Sequence, residues 1–303
     1  MNRRSAIRYF LVAGAGSFFR ILRASDENPK YTIRSEVRLV LLDVGVKNSR
    51  GGFVTGLSAG NFRVFDNGSP QPISVFDSGD EPVTLGILRD ESSSMAPMRA
   101  AVVTAALALI EQSNPHDQVF VLHFNDSVRR GLPDPVLFSD NIDDLRVALT
   151  RGVPLGRTAL YDAVIAGLEQ LELSRAGRKT LVLVSDGQDT ASTHTRREMV
   201  HMVEMSPATI YTIGLIDPGA PARNPSLLQQ LAHISGGEAF FPSDSPRLLA
   251  SCRAIAREIR TRYTLGYVPP VEPGTHSLRN IRVEVIAPGR DRLVARTRTS
   301  YLS

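Results

Sequence analysis

The spacing of hydrophobic and polar positions changes twice along the chain. Between residues 36 and 77, apolar side chains alternate with polar ones, and glycine-containing turns fall at residues 48–52 and 66–68. Alternation with a period of two, interrupted by Asn-Gly and Gly-Gly turns, is typical of short antiparallel strands. The pattern therefore predicts a small, sandwich-like β module at residues 30–79.

From residue 83 onward, short apolar runs alternate with amphipathic segments of helical length. The pattern predicts strands at residues 83–88, 118–124, 180–184 and 210–216. It predicts helices at residues 98–112, 142–149, 159–173, 196–205, 227–234 and 246–260. Buried strands that alternate with helices form βα units, so residues 80–262 are expected to be an α/β domain with a mostly parallel sheet between helices.

Strand-like alternation returns beyond residue 260, at residues 263–267, 281–286 and 293–299. We expect these C-terminal strands, within residues 263–303, to pack with the N-terminal β module. The α/β domain would then be inserted into, or grow out of, a split β module.

Composition narrows the class of protein. The chain has 303 residues, of which 42% are hydrophobic and 22% charged, as in soluble globular proteins. The net charge of +4 is not concentrated in a dense basic block, so we expect a solvated basic surface and no nucleic-acid partner. A single cysteine, Cys252, excludes an intrachain disulfide and is expected to be buried.

The N-terminus has the features of a targeting segment. Arg3, Arg4 and Arg8 precede an apolar stretch at residues 9–19, within the length range of a signal sequence. Residues 2–8 resemble a twin-arginine signal, so residues 1–24 are interpreted as a signal-like segment and the protein as exported, to the periplasm or beyond. An uncleaved membrane anchor and a cytosolic tail remain the alternatives, and membrane association is expected only through this segment.

The strongest chemical signal follows the first buried strand. Asp90, Ser92 and Ser94 place one carboxylate and two hydroxyls in a tight turn after residues 83–88. Hard divalent cations such as Mg²⁺ prefer oxygen ligands and usually keep several waters. The turn would supply half of such a shell and leave positions open.

Two further oxygen-bearing residues fall where such a site needs them. Asp186 follows the predicted strand at residues 180–184, and Thr158 stands at the start of a predicted helix, as an N-cap would. Because parallel strands end at the same edge of a sheet, Asp90 and Asp186 are expected at one edge, where the loops that begin helices also lie. The five residues can therefore converge on one metal ion.

These residues resemble a known family. The following five, in this order, resemble the metal-ion-dependent adhesion site of von Willebrand factor A (vWA) domains: Asp90, Ser92, Ser94, Thr158 and Asp186. The resemblance covers roughly residues 80–265. The flanking motifs at residues 42–44, 54–57, 62–68 and 263–267 resemble the bacterial "VWFA-related" exported proteins.

The resemblance implies a Rossmann-like fold with a surface Mg²⁺ or Mn²⁺. It implies that Ser92 and Ser94 coordinate directly, Thr158 directly or through water, and Asp90 and Asp186 mainly through water. A carboxylate from a protein partner would complete the shell. Two departures from the family pattern are Arg89, where an apolar residue is usual, and Ser93, where glycine is common; Arg89 would either weaken cation binding or help to recruit an anionic ligand.

We therefore expect a non-enzymatic, metal-dependent protein-binding module. A metal-assisted hydrolase is one alternative, although the sequence offers no adjacent His or Lys as a general base. A structural or assembly component with a vestigial site is another. The literal G-x-S-x-G at residues 56–60 is not interpreted as a nucleophile elbow, because a strand pattern rather than a helix follows the serine.

Overall fold

The computed structural model describes residues 39–215, 224–270, 277–290 and 292–303. All of them belong to the compact unit Val37–Ser303. The signal-like segment predicted at residues 1–24, and residues 30–38 of the predicted N-terminal module, lie outside the described residues.

The described residues form fourteen strands and six α-helices. The strands are β1 (Val40–Asn48), β2 (Phe62–Asp66), β3 (Ser69–Gln71), β4 (Val75–Asp77), β5 (Val83–Asp90), β6 (Gln118–Phe124), β7 (Val128–Arg130), β8 (Arg178–Ser185), β9 (Thr209–Gly214), β10 (Ala239–Phe240), β11 (Tyr263–Tyr267), β12 (Leu278–Val285), β13 (Leu293–Arg296) and β14 (Ser300–Leu302). The helices are α1 (Arg99–Glu111), α2 (Ile142–Thr150), α3 (Leu160–Glu172), α4 (Arg196–Met205), α5 (Pro225–Ser235) and α6 (Ser245–Arg260). Short 3-10 helices occupy Ala59–Asn61 and Ser93–Met98.

A six-stranded sheet forms the centre of the α/β part, in the order β10-β9-β8-β5-β6-β7. All neighbours in it are parallel except β7, which pairs antiparallel with β6. Its central strand β5 is buried along its whole length, as expected for a strand covered by helices on both faces. The predicted mostly parallel sheet is therefore confirmed, whereas the edge strands β7 and β10 are too short to show a sequence period.

Helices cover this sheet through their apolar faces. In α1, the side chains Val102, Ala105 and Leu109 join the core, and α1 packs against α6. The segment Ser93–Glu111 has the length and apolar composition of a membrane span. Its apolar side chains contact the core, and a core helix can be as long and as apolar as a membrane span.

The flanking segments build two four-stranded sheets, in the orders β13-β1-β11-β4 and β14-β12-β2-β3. All their pairings are antiparallel, and N-terminal strands pair with C-terminal ones: β1 with β11 and β13, and β2 with β12. Both sheets contribute to one apolar core, which includes Val44, Phe62 and Tyr263. The predicted fold class, an α/β domain with a small antiparallel β module from both flanks, is confirmed.

A seam of buried charges joins this β sandwich to the α/β part. The carboxylate of Asp43 on β1 pairs with Arg178 at 3.2 Å and with Arg262 at 3.0 Å, and Arg262 also pairs with Glu258 of α6 at 3.1 Å. Arg178 is the first residue of β8. The sandwich therefore attaches near the amino end of this strand, opposite the sheet edge at which β5 and β8 end.

Candidate metal site

Adjacent strands bring the two predicted carboxylates to the same edge of the central sheet. In the pairing of β5 with β8, Arg89 lies opposite Val184, so that Asp90 ends β5 beside Ser185, the last residue of β8. The hydroxyl of Ser185 donates a hydrogen bond of 2.6 Å to Asp90 Oδ2. Asp186 follows directly, and both carboxylates are almost fully buried.

The turn after β5 orients the two predicted serine ligands. The Ser92 amide donates to Asp90 Oδ1 at 2.8 Å, which folds the chain back over the carboxylate. Ser92 Oγ lies 3.1 Å from Ser94 Oγ, and Ser94 Oγ donates to Asp186 Oδ2 at 2.9 Å. The structure thus brings four of the five predicted residues into one continuous chain of polar contacts, with Ser94 exposed to solvent.

The fifth predicted residue, Thr158, lies on the neighbouring loop between α2 and α3. It is buried, its amide donates to Thr190 Oγ1 at 3.0 Å, and its carbonyl accepts from the Thr190 amide at 2.8 Å. These bonds fix the loop to the segment that follows Asp186. The prediction that Thr158 caps a helix is wrong: Ala159 is the N-cap of α3, because these backbone bonds hold Thr158 in the loop before it.

The electrostatics of the site favour a bound cation. Burial raises the pKa of Asp90 to about 6, hydrogen bonds from Ser185 and Ser92 offset part of this rise, and the charge of Asp186 adds to it. A carboxylate whose ionised form is disfavoured by burial and by a second carboxylate gains stability from a cation placed between them.

Sequence reasoning did not foresee the role of Glu91. Its carboxylate forms a buried ion pair with Arg89, whose guanidinium also donates to the Arg151 carbonyl at 2.8 Å. Burial lowers the pKa of Arg89 to about 10, although Glu91 favours the charged form. The unusual arginine before Asp90 therefore has its own counter-ion. An Arg and a Glu two positions apart where a predicted strand ends can point to the same face, and this spacing is the signal that could have revealed the pair.

The donor set is suited to a hard divalent cation. It consists of two carboxylates and three hydroxyls, all oxygen donors of the kind that Mg²⁺ and Mn²⁺ accept. No cluster of three or more His, Cys, Asp or Glu side chains that could hold a metal occurs in the described residues. A metal at this edge would consequently depend on the hydroxyls of Ser92, Ser94 and Thr158 as much as on the carboxylates.

Other candidate residues have structural roles. Asp162 accepts hydrogen bonds from the backbone amides of Thr193 and His194, at 2.9 Å each, and so holds the loop before α4. Cys252 is buried, as predicted, and His123 is buried in β6, where its Nε2 lies 2.8 Å from the Ala148 carbonyl oxygen. Ser58 caps a 3-10 helix of three residues that leads into β2, which excludes a nucleophile elbow there.

Residues 86–188 match the family model described as the von Willebrand factor type A domain. The matched segment runs from β5 to just beyond β8 and contains all five predicted metal ligands. No curated protein sequence matches the chain.

Several solved structures are similar to this chain. The von Willebrand factor type A protein from Catenulispora acidiphila is 14% identical, with a TM-score of 0.51 over 85% of this chain and 74% of its own. Proximal thread matrix protein 1 from the mussel byssus is 17% identical, with a TM-score of 0.49 over 60% of this chain, which spans only 49% of the mussel protein. The vWF domain of the type V pili tip protein Mfa5 from Porphyromonas gingivalis is 14% identical, with a TM-score of 0.48 over 59% of this chain and 95% of its own.

At such identities a structural likeness shows the fold alone, and of these three only the Catenulispora protein has a TM-score above 0.5. Its likeness to this chain shows a fold of the kind that the family match at residues 86–188 implies. Residues 86–188 therefore match a von Willebrand factor type A domain, and the α/β part that contains them has this fold and is flanked by a β sandwich built from the N- and C-terminal segments.

Proposed function

We propose that this chain is a non-enzymatic binding module that captures an acidic side chain of a protein partner through a metal ion. The ion is Mg²⁺ or Mn²⁺, and its ligands, direct or through water, are Asp90, Ser92, Ser94, Thr158 and Asp186. vWA domains are often adhesion or protein-interaction modules, which is consistent with this proposal.

The observation that carries the proposal is the spacing of the two serine oxygens and their contact with Asp186. Ser92 Oγ, Ser94 Oγ and Asp186 Oδ2 follow one another at 3.1 and 2.9 Å. In an octahedral shell with metal–oxygen distances of about 2.1 Å, neighbouring ligand oxygens are about 3.0 Å apart. The two serine oxygens therefore have the spacing of neighbouring ligands in a Mg²⁺ shell, and Asp186, which contacts Ser94, lies close enough to accept a hydrogen bond from a water on the ion.

Charge explains why the partner would be acidic. Both Asp90 oxygens accept hydrogen bonds from the chain, from the Ser92 amide and the Ser185 hydroxyl, which supports contact with the ion through water. The serine and threonine ligands are neutral. A divalent ion with mostly neutral direct ligands keeps positive charge at its open face, and a carboxylate is the protein side chain that this charge attracts most strongly.

The remaining expectations complete the proposal. We propose that the protein is exported, since arginines precede an apolar stretch at residues 9–19. Membrane association would occur only through this N-terminal segment, and the partner would be a protein rather than a nucleic acid, because the net charge of +4 includes no dense basic block.

Selection from a library of random heptapeptides displayed on phage tests the proposal directly. The immobilised full chain would be panned in Mn²⁺ and eluted with EDTA. We expect Asp or Glu to be enriched in the eluted peptides, and we expect the enrichment to disappear for Asp90→Ala and for Thr158→Val, which removes one hydroxyl at nearly constant volume. Ser127→Ala, at an exposed hydroxyl on the turn before β7, is the matched control and should bind as the wild type does.

Other results would favour the alternatives. Binding that persists in EDTA and in both variants would contradict the proposal and assign recognition to the β sandwich, with a vestigial site. If the chain hydrolyses phosphate or peptide esters and Asp90→Ala does not, the protein would be a metal-assisted hydrolase and not a binding module.

A further inference from the structure

Two large apolar side chains are displayed beside the candidate metal site. Val153 and Leu155 are 69% and 67% exposed, more than any other large apolar side chain in the described residues. They lie in residues 151–157, here called the apolar loop, which ends one residue before Thr158. Exposed apolar side chains that lie together beside polar residues are typical of protein contact surfaces.

Hydrogen bonds join the apolar loop to the turn that carries the serine ligands. The Leu155 amide donates to the Glu91 carbonyl at 2.9 Å. The Ser93 amide donates to the Gly156 carbonyl at 3.3 Å, and the Gly156 amide donates to Ser93 Oγ at 3.1 Å. Glu91 and Ser93 alternate with Asp90, Ser92 and Ser94, so the backbone of Leu155 is held beside the turn that carries the candidate ligands.

The base of the apolar loop is fixed from the other side as well. The Arg99 guanidinium, at the start of α1, donates to the carbonyls of Thr150 at 2.6 Å and Gly152 at 2.9 Å. Gly152 and Gly156 have φ of 88° and 91°, in the left-handed region that favours glycine. A Cβ at Gly152 would overlap the Glu91 carboxylate, so the turn also requires glycine for space. The loop is thus pre-organised, which lowers the entropic cost of binding through it.

We infer that the apolar loop forms a second contact for the same partner, and that this partner is a protein segment in which a large apolar side chain lies within a few residues of the captured Asp or Glu. The inference rests on the proposed function, since the carboxylate is placed by the metal. Arg157, the last residue of the loop, is exposed but pairs with Asp126 at 2.9 Å, so the acidic character of the segment follows from the metal and its apolar character from Val153 and Leu155.

The displayed heptapeptide library separates this inference from the proposed function. We expect Leu, Ile, Val, Met or Phe to be enriched within three positions of the selected acid. For the double variant Val153→Ser/Leu155→Ser, the acid should still be enriched in Mn²⁺ but the apolar preference should disappear. The best wild-type peptide should bind this variant roughly ten- to a hundredfold more weakly, since burial of one or two aliphatic side chains supplies about that much.

Leu173→Ser is the matched control. Leu173 is 61% exposed but lies at the end of α3, on the opposite edge of the sheet, so its replacement should leave peptide selection unchanged. Circular dichroism and the unfolding midpoint would verify that each variant is folded.

Each remaining outcome overturns the inference in a different way. Metal-dependent enrichment of acids without apolar neighbours would refute the role of the apolar loop and leave the proposed function standing. Absence of any metal-dependent acid enrichment would refute both. Concentration-dependent dimers in analytical ultracentrifugation that disappear in the double variant would show that a second copy of the chain, rather than a partner segment, covers Val153 and Leu155.

Discussion

Replacement of Asp90 by asparagine should stabilise the metal-free protein and abolish its response to metal. Asp90 is 2% exposed, and burial raises its pKa from 3.8 to about 6. This rise in the pKa means that burying the ionised carboxylate lowers the free energy of unfolding at neutral pH by ~3 kcal/mol. Asparagine keeps the volume and an acceptor for the Ser92 amide, so we expect Asp90→Asn to gain about 1–3 kcal/mol in EDTA at pH 7.

The pH dependence has a defined sign. Between the unfolded value near 3.8 and the folded value of about 6, the native state binds more protons at this group than the unfolded state does. The free energy of unfolding of the wild type should therefore decrease as the pH is raised across this interval. This decrease should be absent in Asp90→Asn. Urea unfolding in EDTA at several pH values measures it, with the exposed Asp140→Asn as a control that should follow the wild type.

Metal offsets the stability advantage of the variant. At a Mg²⁺ concentration of about 100 times the dissociation constant, the wild type should gain about 2.7 kcal/mol and the Asp90→Asn variant almost nothing. A variant that is less stable than the wild type in EDTA would refute the reasoning, because burial of the charge would then not be the dominant cost at this position.

Three further predictions concern the seam and the apolar loop. Arg262→Met leaves Asp43 buried without its main counter-ion, so urea unfolding should show a loss of about 3–5 kcal/mol, and a loss below 1 kcal/mol would contradict the pairing. Burial raises the pKa of Asp43, but Arg262 and Arg178 more than offset this and hold it below its ordinary value. The resulting stability should be lost as pH falls through that lowered pKa, and an acid titration of the unfolding midpoint for Asp43→Asn should lack this fall. Gly152→Ala should cost more than about 1 kcal/mol and speed hydrogen exchange in the apolar loop, because φ is 88° and the new Cβ meets Glu91; unchanged exchange would count against a rigid loop.

The fold and the outline of the site follow from local patterns in the sequence. Apolar runs at residues 83–88 and 180–184 predicted buried parallel strands, and the edge rule for such strands placed Asp90 and Asp186 together. The structure has both residues at that edge, as the last residue of β5 and the first after β8. Whether the five residues bind a metal stays a prediction.

Contacts that depend on strand register could not be read from the sequence. The hydrogen bond from Ser185 to Asp90 exists because β5 and β8 are neighbours in one particular register, which hydrophobic periodicity does not specify. Thr158 was misplaced as a helix cap for a similar reason: its partner Thr190 is 32 positions away in the sequence. The exposure of Val153 and Leu155 likewise depends on where the surrounding loops lie.

Titration calorimetry of Mn²⁺ and Mg²⁺ into the full chain tests the central claim most directly. We predict one ion bound per chain, with binding lost in Asp90→Ala, weakened in Thr158→Val and unchanged in Ser127→Ala. Absence of binding in the wild type, or binding that is undiminished in Asp90→Ala, would contradict the assignment of this sheet edge as a metal site.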